Sequence, residues 1–395
     1  MSVPEYQAPE SVSRFQGRAL IAGAAALVVS LFGAIRTPEA FYHSYLVSFL
    51  LVLGLSLGSL GLLMLQHLTG GHWGIIIRRP LESAVRTLPL VLAFFTPIAF
   101  FGMKYLYGAW LNPEEVKKEP LSEFQQHYLT SGGFYARAVA YFLVWLGLMF
   151  VFSWLSKQQD LNPGDRVLRR RLKLLAGPGI ILYVFVMSFA AIDWVMSLSP
   201  HWASTIYGFL FVAGQLISSL SLMIAVVVLL SQSEQFGHVL QKRHLHDLGK
   251  LLLAFVMLWA YFDFSQLLII WSGNLPEEIS FYRTRLYGGW GVVAVIVLIF
   301  HFLVPFFLLL SQDLKRNARV LPKIAGWLIF MRLVDLFWMT RPEFTPRALP
   351  TWLDLALPIA LGGLWGSFFA FNLKQLPLLP LGEPKLAEAI EHHEH

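Results

Sequence analysis

The sequence is dominated by apolar stretches of about 20 residues, the length that crosses the hydrocarbon core of a bilayer as an α-helix. Polar connections separate ten such segments. We place them near residues 18–36, 41–67, 84–106, 134–156, 172–198, 203–231, 248–271, 286–311, 320–339 and 351–373. Because lipid satisfies no backbone hydrogen bond, each segment is expected to be helical. The sequence therefore predicts an all-α polytopic membrane protein with about ten transmembrane helices.

Composition excludes several classes of protein. Hydrophobic residues make up 56% of the chain and charged residues only 14%, whereas soluble domains carry about 25% charged residues. A soluble enzyme, a disordered chain and a nucleic-acid-binding module are therefore excluded. The chain has no cysteine, which excludes cysteine-ligated iron–sulfur clusters, c-type haem attachment and cysteine nucleophiles.

The basic residues predict an orientation. If the N-terminus is cytoplasmic, about two thirds of the 30 lysines and arginines lie at cytoplasmic ends of the helices. The connection around Lys157–Lys173 contributes most of them. Since cytoplasmic connections carry the excess of Lys and Arg, both termini are predicted to be cytoplasmic.

Ionisable and polar side chains inside apolar segments are costly in lipid and indicate functional positions. The candidates are Asp193 on the fifth segment, His201 just after it, Tyr261, Asp263, Ser265 and Gln266 on the seventh, His301 on the eighth, Arg332 and Asp335 on the ninth, and Asp354 at the start of the tenth. At a rise of about 1.5 Å per residue, Asp193, Asp335 and Asp354 fall in the outer third of the membrane. Asp263 lies slightly past the middle, and His301 lies near the middle.

Two interpretations of these residues remain open. In the first, His301 and Asp263 carry protons through the membrane, while Asp193, Arg332 and Asp335 form an outer exit. In the second, the same groups only hold helices together: Arg332 and Asp335 are three residues apart and can pair on one helix. Asp263 is the strongest candidate, because its neighbours are apolar and Gln266 on the same face is only a neutral partner.

No cofactor is predicted to bind this chain. A membrane b-type haem needs paired histidines at one depth, and His43, His67 and His301 lie at different depths. No metal site is expected, and Glu391–His395 is interpreted as a tail.

Two further segments have structural interpretations. Gly54, Gly58 and Gly61 share one face of the second segment and predict close helix packing there. The stretch Gly70–Glu82 is expected to lie at the membrane interface, with Arg78 and Arg79 facing lipid headgroups.

Three stretches, in this order and spacing, carry a family resemblance. They are Gln66–Gly74 with Arg78-Arg79-Pro80, then Ala191–Trp202 with Ser204-Thr205, then Phe264–Gln266, Ile270-Trp271 and Gly273–Glu278. Together they resemble the second NrfD/PsrC-like integral membrane subunit (ActF) of bacterial alternative complex III, a quinol:cytochrome c oxidoreductase.

The resemblance implies a fold and a function. Residues 1–395 would form one integral membrane domain, with four-helix bundles at about 41–198 and 203–339 and with the first and last spans flanking them. The chain would belong to a respiratory or photosynthetic electron-transport complex as an anchor with a proton-translocation path. It would be part of an enzyme without a prosthetic group or a complete active site of its own.

The resemblance also implies partners and a location. These partners are a sister NrfD-like membrane subunit with the main quinol site, an extracytoplasmic iron–sulfur protein, haem c subunits and lipid, in a bacterial cytoplasmic (inner) membrane. Quinol, haem c and iron–sulfur clusters would be bound by the partners, and no nucleic acid is involved. A stand-alone secondary transporter and a purely structural anchor are the alternatives.

Overall fold

The computed structural model describes residues 6–237, 239–383 and 386, and the predicted tail Glu391–His395 lies outside them. Within this part of the chain the structure is all-helical, without strands. Ten long helical segments run as α1 Glu10–Arg36, α2 Pro38–Thr69, α3 His72–Leu106, α4 Ser131–Leu161, α5 Arg166–Trp194, α6 Tyr207–Leu230, α7 Lys242–Gly273, α8 Trp290–Leu310, α9 Leu321–Thr340 and α10 Leu353–Leu373.

Nine of these segments, all except α9, are long and apolar enough to cross a membrane. The prediction of a multi-pass α-helical membrane protein is therefore confirmed. The ninth predicted segment is also a helix, but its 20 residues include Lys323, Arg332 and Asp335. Those charges reduce its hydropathy, so a membrane crossing by α9 stays a prediction.

The helices pack in two rings around a shared centre. In one ring α2 contacts α3 and α5, and α4 contacts both of them. In the other ring α6 contacts α7 and α9, and α8 contacts both of them. The rings meet where α2 packs against α6, while α1 packs on α10 at the side of α2.

The glycine face of α2 allows this central contact, as the sequence predicts. A Cβ at Gly58 would overlap the backbone of Gln215 and the hydroxyl group of Ser219 on α6, and one at Gly61 would press on the Tyr183 ring of α5. The Ser219 hydroxyl donates a hydrogen bond to the carbonyl oxygen of Leu55 at 2.8 Å. Because these glycines have no side chain, polar groups of the neighbouring helices lie directly against the α2 backbone.

The helical ends form two faces of the molecule. The termini end is the face where the backbone N–H of Leu378 donates to the Tyr6 carbonyl oxygen at 2.8 Å. The distal end is the opposite face, where Ala348 N–H donates to the Gly288 carbonyl oxygen at 3.0 Å. The connection between α4 and α5 lies at the termini end, and the connection between α5 and α6 lies at the distal end.

The expectation that Arg78 and Arg79 in the stretch Gly70–Glu82 face lipid headgroups is wrong. Residues from His72 onward begin α3, and the side chains of Arg78 and Arg79 are each only 1% exposed. Glu82 accepts hydrogen bonds from Arg78 Nε at 3.0 Å and from Arg79 Nη1 at 2.6 Å. Paired in this way, the two guanidinium groups tolerate burial and do not need lipid headgroups.

Candidate functional site

The ring of α6–α9 encloses a cluster of polar side chains, here called the α7–α9 polar cluster: Trp259, Asp263, His301, Arg332 and Asp335. Trp259 and Asp263 are four residues apart and share the inward face of α7. Trp259, His301, Arg332 and Asp335 are at most 2% exposed, and Asp263 is partly buried. The cluster thus contains four of the candidate residues named from the sequence. Its fifth member, Trp259, was not among those candidates.

His301 lies in an irregular part of α8. Residues Leu298–Leu303 form a π-helical segment that ends just before Pro305. Because proline has no N–H, the His301 carbonyl cannot receive its usual helical hydrogen bond, and such π-helical segments frequently mark functional sites. The imidazole stands edge-on to Trp259, with ring centroids 4.5 Å apart. Neither ring nitrogen has a hydrogen-bond partner within the described part of the chain.

Arg332 and Asp335 form an ion pair on α9. The guanidinium group lies against Gly214 of α6, where any side chain would collide with it, and 5.5 Å from the centre of the Phe211 ring. The indole of Trp259 is directed towards Asp335 without regular hydrogen-bond geometry. The interpretation that these two residues pair on one helix is therefore correct. The guanidinium group of Arg332 compensates the negative charge of Asp335.

Asp263 differs from Asp335 in its surroundings. Its carboxyl group interacts electrostatically with Asp335 and with the phenol of Tyr282. Among the described residues, no hydrogen bond or salt bridge reaches this carboxyl group. It is therefore a carboxyl group inside the ring without a compensating positive partner.

The neighbours of Asp263 on α7 point in different directions. Gln266 is 3% exposed, accepts from the Ser204 hydroxyl at 3.1 Å and donates to the Tyr282 hydroxyl at 3.3 Å. Tyr261 is 64% exposed and faces away from the ring, while Ser265 is partly exposed. Only Gln266 extends the polar interior towards the distal end.

Asp193 belongs to a separate site in the ring of α2–α5. Its Oδ2 accepts from Arg137 Nε at 2.8 Å and from the Tyr141 hydroxyl at 2.6 Å. Arg137 also lies 3.9 Å from the centre of the Tyr128 ring. Burial, together with nearby Asp193, raises the pKa of Tyr128 to about 12. The structure thus binds Asp193 to α4 rather than to Arg332 and Asp335, with which the sequence grouped it.

His201 and Asp354 lie at the distal end. His201 is 42% exposed, with Nε2 3.6 Å from Glu119 Oε2, and it lines an open depression of about 380 Å³ beside Trp202 and Phe281. Asp354 accepts from the Ser44 hydroxyl at 2.6 Å and from the Thr351 N–H at 2.7 Å. Neither residue contacts the α7–α9 polar cluster directly.

A second buried polar network was missed by sequence reasoning. At the termini end, Arg78, Arg79 and Glu82 join Ser156, Gln159 and Asp160 of α4 and Glu383 beyond α10. The sequence did contain an indication of this network. Glu82 follows Arg78 by four residues, which is the spacing of an ion pair on one helix face.

Comparison with models of known protein families and with curated proteins finds no match for this sequence.

Proposed function

We propose that this chain is a membrane subunit of a quinol:electron-acceptor oxidoreductase of the alternative complex III type, and that it anchors the complex and provides a path for protons. Two observations support the family assignment: the three ordered sequence stretches and the set of ten long helices. The two rings of helices support the proposed four-helix bundles at about 41–198 and 203–339, with α1 and α10 flanking them.

The observation that carries the proton path is the α7–α9 polar cluster. A carboxyl group without a positive partner inside a helical ring takes up and releases protons more readily than one that is paired. Asp263 has this environment, while Asp335 is compensated by Arg332. His301 and Gln266 continue the set of polar side chains from Asp263 towards neighbouring helices. In the proposed path, Asp263 is the group that takes up and releases the proton. The Arg332–Asp335 ion pair determines the electrostatic environment of that group.

The proposed orientation places the termini end in the cytoplasm of a bacterial inner membrane, because that end carries most lysines and arginines. The distal end then faces the extracytoplasmic iron–sulfur and haem c subunits. The sister membrane subunit would bind the quinol, and this chain would carry no cofactor. Its depression beside His201 offers a polar surface at the proposed partner side.

The proton path is tested by Asp263→Asn in the assembled complex reconstituted into vesicles. Asparagine keeps the shape of the side chain but does not titrate. We expect quinol oxidation to persist while the number of protons translocated per electron falls. Asp313→Asn, at an exposed position in the connection between α8 and α9, is the matched control and should change neither quantity. Unchanged proton translocation in Asp263→Asn would favour the structural-anchor alternative.

The family assignment is tested by purifying the native complex through this chain. Co-purification of haem c and iron–sulfur proteins in fixed stoichiometry is expected. A chain that purifies alone and moves a solute across vesicles would instead identify a secondary transporter.

A further inference from the structure

Basic side chains gather at the termini end of the ring of α6–α9. The connection between α6 and α7 and the connection between α8 and α9 both lie at this end, since α8 begins beside Gly288 at the distal end. The segments Lys242–Lys250 and Gln312–Lys323 contain seven lysines and arginines but only two acidic residues, Asp247 and Asp313. The nearer segment ends about 20 Å along α7 from the carboxyl group of the α7–α9 polar cluster. This positive charge is therefore separate from the proposed proton path.

Lys315 is the most enclosed of these lysines and arginines. It is 7% exposed, and its aliphatic stem lies against Gly249 of α7, where a Cβ would come within 2.7 Å of the lysine Cγ. Its ammonium group has no hydrogen bond or ion pair with the described residues. Burial, together with nearby Lys250, lowers the pKa of Lys315. A lysine that is nearly buried beside a second cation is costly unless an anion compensates it.

Three other groups surround this ammonium group, and the four are here called the basic cluster: His246, Lys250, Lys315 and Arg316. The half-buried imidazole of His246 interacts electrostatically with the other three. The carboxylate beside them is that of Asp247, 3.7 Å from Lys250 Nζ. One carboxylate and the three cations Lys250, Lys315 and Arg316 leave an excess of two positive charges. The basic cluster thus has the charge to bind two phosphate groups.

Apolar side chains directly precede the basic cluster on α8. Leu310, the last residue of α8, is 52% exposed, and Phe307, one turn earlier, is 65% exposed. Since α8 is one of the helices able to cross the membrane, its last turn lies where the hydrocarbon core meets the headgroups. Basic groups between helices at this level are typical of sites for anionic lipid headgroups. A free phosphate would use the basic part of this surface and leave the apolar part without a partner.

We propose that the basic cluster binds the headgroup of an anionic phospholipid with two phosphate groups, diphosphatidylglycerol, whose acyl chains lie along the last turn of α8. One phosphate binds Lys250 and Lys315, and the other binds Arg316. Lys250 belongs to α7, whereas Lys315 and Arg316 follow α8. The lipid therefore holds together the termini ends of the two helices that carry Asp263 and His301. This site does not depend on the proposed function.

The first arm of the test is thermal denaturation of the full chain, purified with any subunits that accompany it and stripped of bound lipid. Three probes are added at equal phosphate concentration: diphosphatidylglycerol, phosphatidylethanolamine and inorganic pyrophosphate. We expect diphosphatidylglycerol alone to raise the melting temperature, because a ligand of the folded state stabilises that state. An equal rise with pyrophosphate would show a site for free phosphate, and an equal rise with phosphatidylethanolamine would show a general lipid effect. Either result would overturn the proposal.

The second arm locates the site with a double variant, Lys250→Gln with Arg316→Gln, at two exposed positions. The matched control is Arg170→Gln with Lys173→Gln, which removes two exposed positive charges from α5 at the same end. We expect the diphosphatidylglycerol concentration for half of the stabilisation to increase roughly tenfold or more in the first variant and to stay unchanged in the control. An unchanged concentration in the first variant, or an equal increase in both, would refute this location.

The third arm separates the charge of Lys315 from its packing. Lys315→Met keeps an apolar stem against Gly249 but removes the ammonium group. Because this change also removes the repulsion from Lys250, we expect the lipid-free variant to melt no lower than the lipid-free wild type. Its stabilisation by diphosphatidylglycerol should nevertheless be largely lost. A variant that melts lower without lipid and is stabilised normally by lipid would show that Lys315 only packs, and would refute its role in binding.

Discussion

The guanidinium group of Arg332 lies directly against Gly214, so that the absence of a side chain on α6 leaves room for the buried ion pair of α9. This contact fixes the side-chain direction of Arg332 and with it the position of Asp335. The ion pair is therefore held by the packing of two helices as well as by its own charges. It places the compensating charge beside Asp335 and leaves Asp263 without one.

Substitution of Gly214 by alanine is expected to be destabilising. The added methyl group would overlap the guanidinium group of Arg332, and overpacking of this kind costs about 1–3 kcal/mol. Thermal denaturation of the purified protein measures the effect. Gly326→Ala on α9 is the matched control, because a Cβ there meets no atom within 4 Å. Equal melting temperatures for the two variants would contradict the packing argument.

Removal of one member of the Arg332–Asp335 pair should cost more than removal of both. Asp335→Leu leaves a buried guanidinium group uncompensated, which typically costs about 3–5 kcal/mol. Replacing both residues together, as in Arg332→Met with Asp335→Leu, removes the unpaired charge and should recover much of that loss. A double-mutant cycle measured by denaturation tests the coupling; additive effects of the two substitutions would show that the pair contributes no coupling energy.

Glu82 is expected to stabilise the termini end. It accepts from Arg78, from Arg79 and, at 2.6 Å, from the Ser156 hydroxyl. Glu82→Gln keeps the shape but removes the negative charge between two buried arginines, at a cost of roughly 1.5–3 kcal/mol for a charged hydrogen bond. The melting temperature should fall, whereas Glu10→Gln at an exposed site should leave it unchanged. A variant as stable as wild type would mean that Asp160 and Glu383 suffice for both arginines.

The features that the sequence predicted correctly are those that depend on a single helix. The apolar segments followed from the length of a membrane span, and the pairing of Arg332 with Asp335 followed from their spacing. The features that it did not predict are contacts between helices, which depend on which helices are neighbours in the fold. The bond from Arg137 to Asp193 joins α4 to α5, the Trp259–His301 contact joins α7 to α8, and Glu383 reaches Arg78 across 305 residues of sequence.

The incorrect expectation for Arg78 and Arg79 has the same origin. Beside the Gly70-Gly71 break, an arginine pair followed by proline is compatible with a lipid-facing interface. Burial is possible only because Glu82, Asp160 and Glu383 come together from three parts of the chain. Local spacing indicates the first of these partners but not the other two.

The orientation of the chain is testable with single cysteines, since the sequence contains none. Gln159 lies at the start of the basic connection, near the end of α4, but is only 2% exposed, so a thiol there would react poorly from either side. Asn162 lies just beyond α4 at the termini end and is exposed. Glu114 lies at the distal end, and its side chain is 72% exposed.

We expect Asn162→Cys to react with a membrane-impermeant thiol reagent only after the membrane is permeabilised, and Glu114→Cys to react in intact cells. The physical reason is the excess of Lys and Arg at the termini end, which favours retention on the cytoplasmic side. The comparison controls for reagent access, because both positions are exposed in the folded chain. The reverse pattern would invert the topology and place the termini end on the outer side of the membrane. The depression beside His201 would then face the cytoplasm.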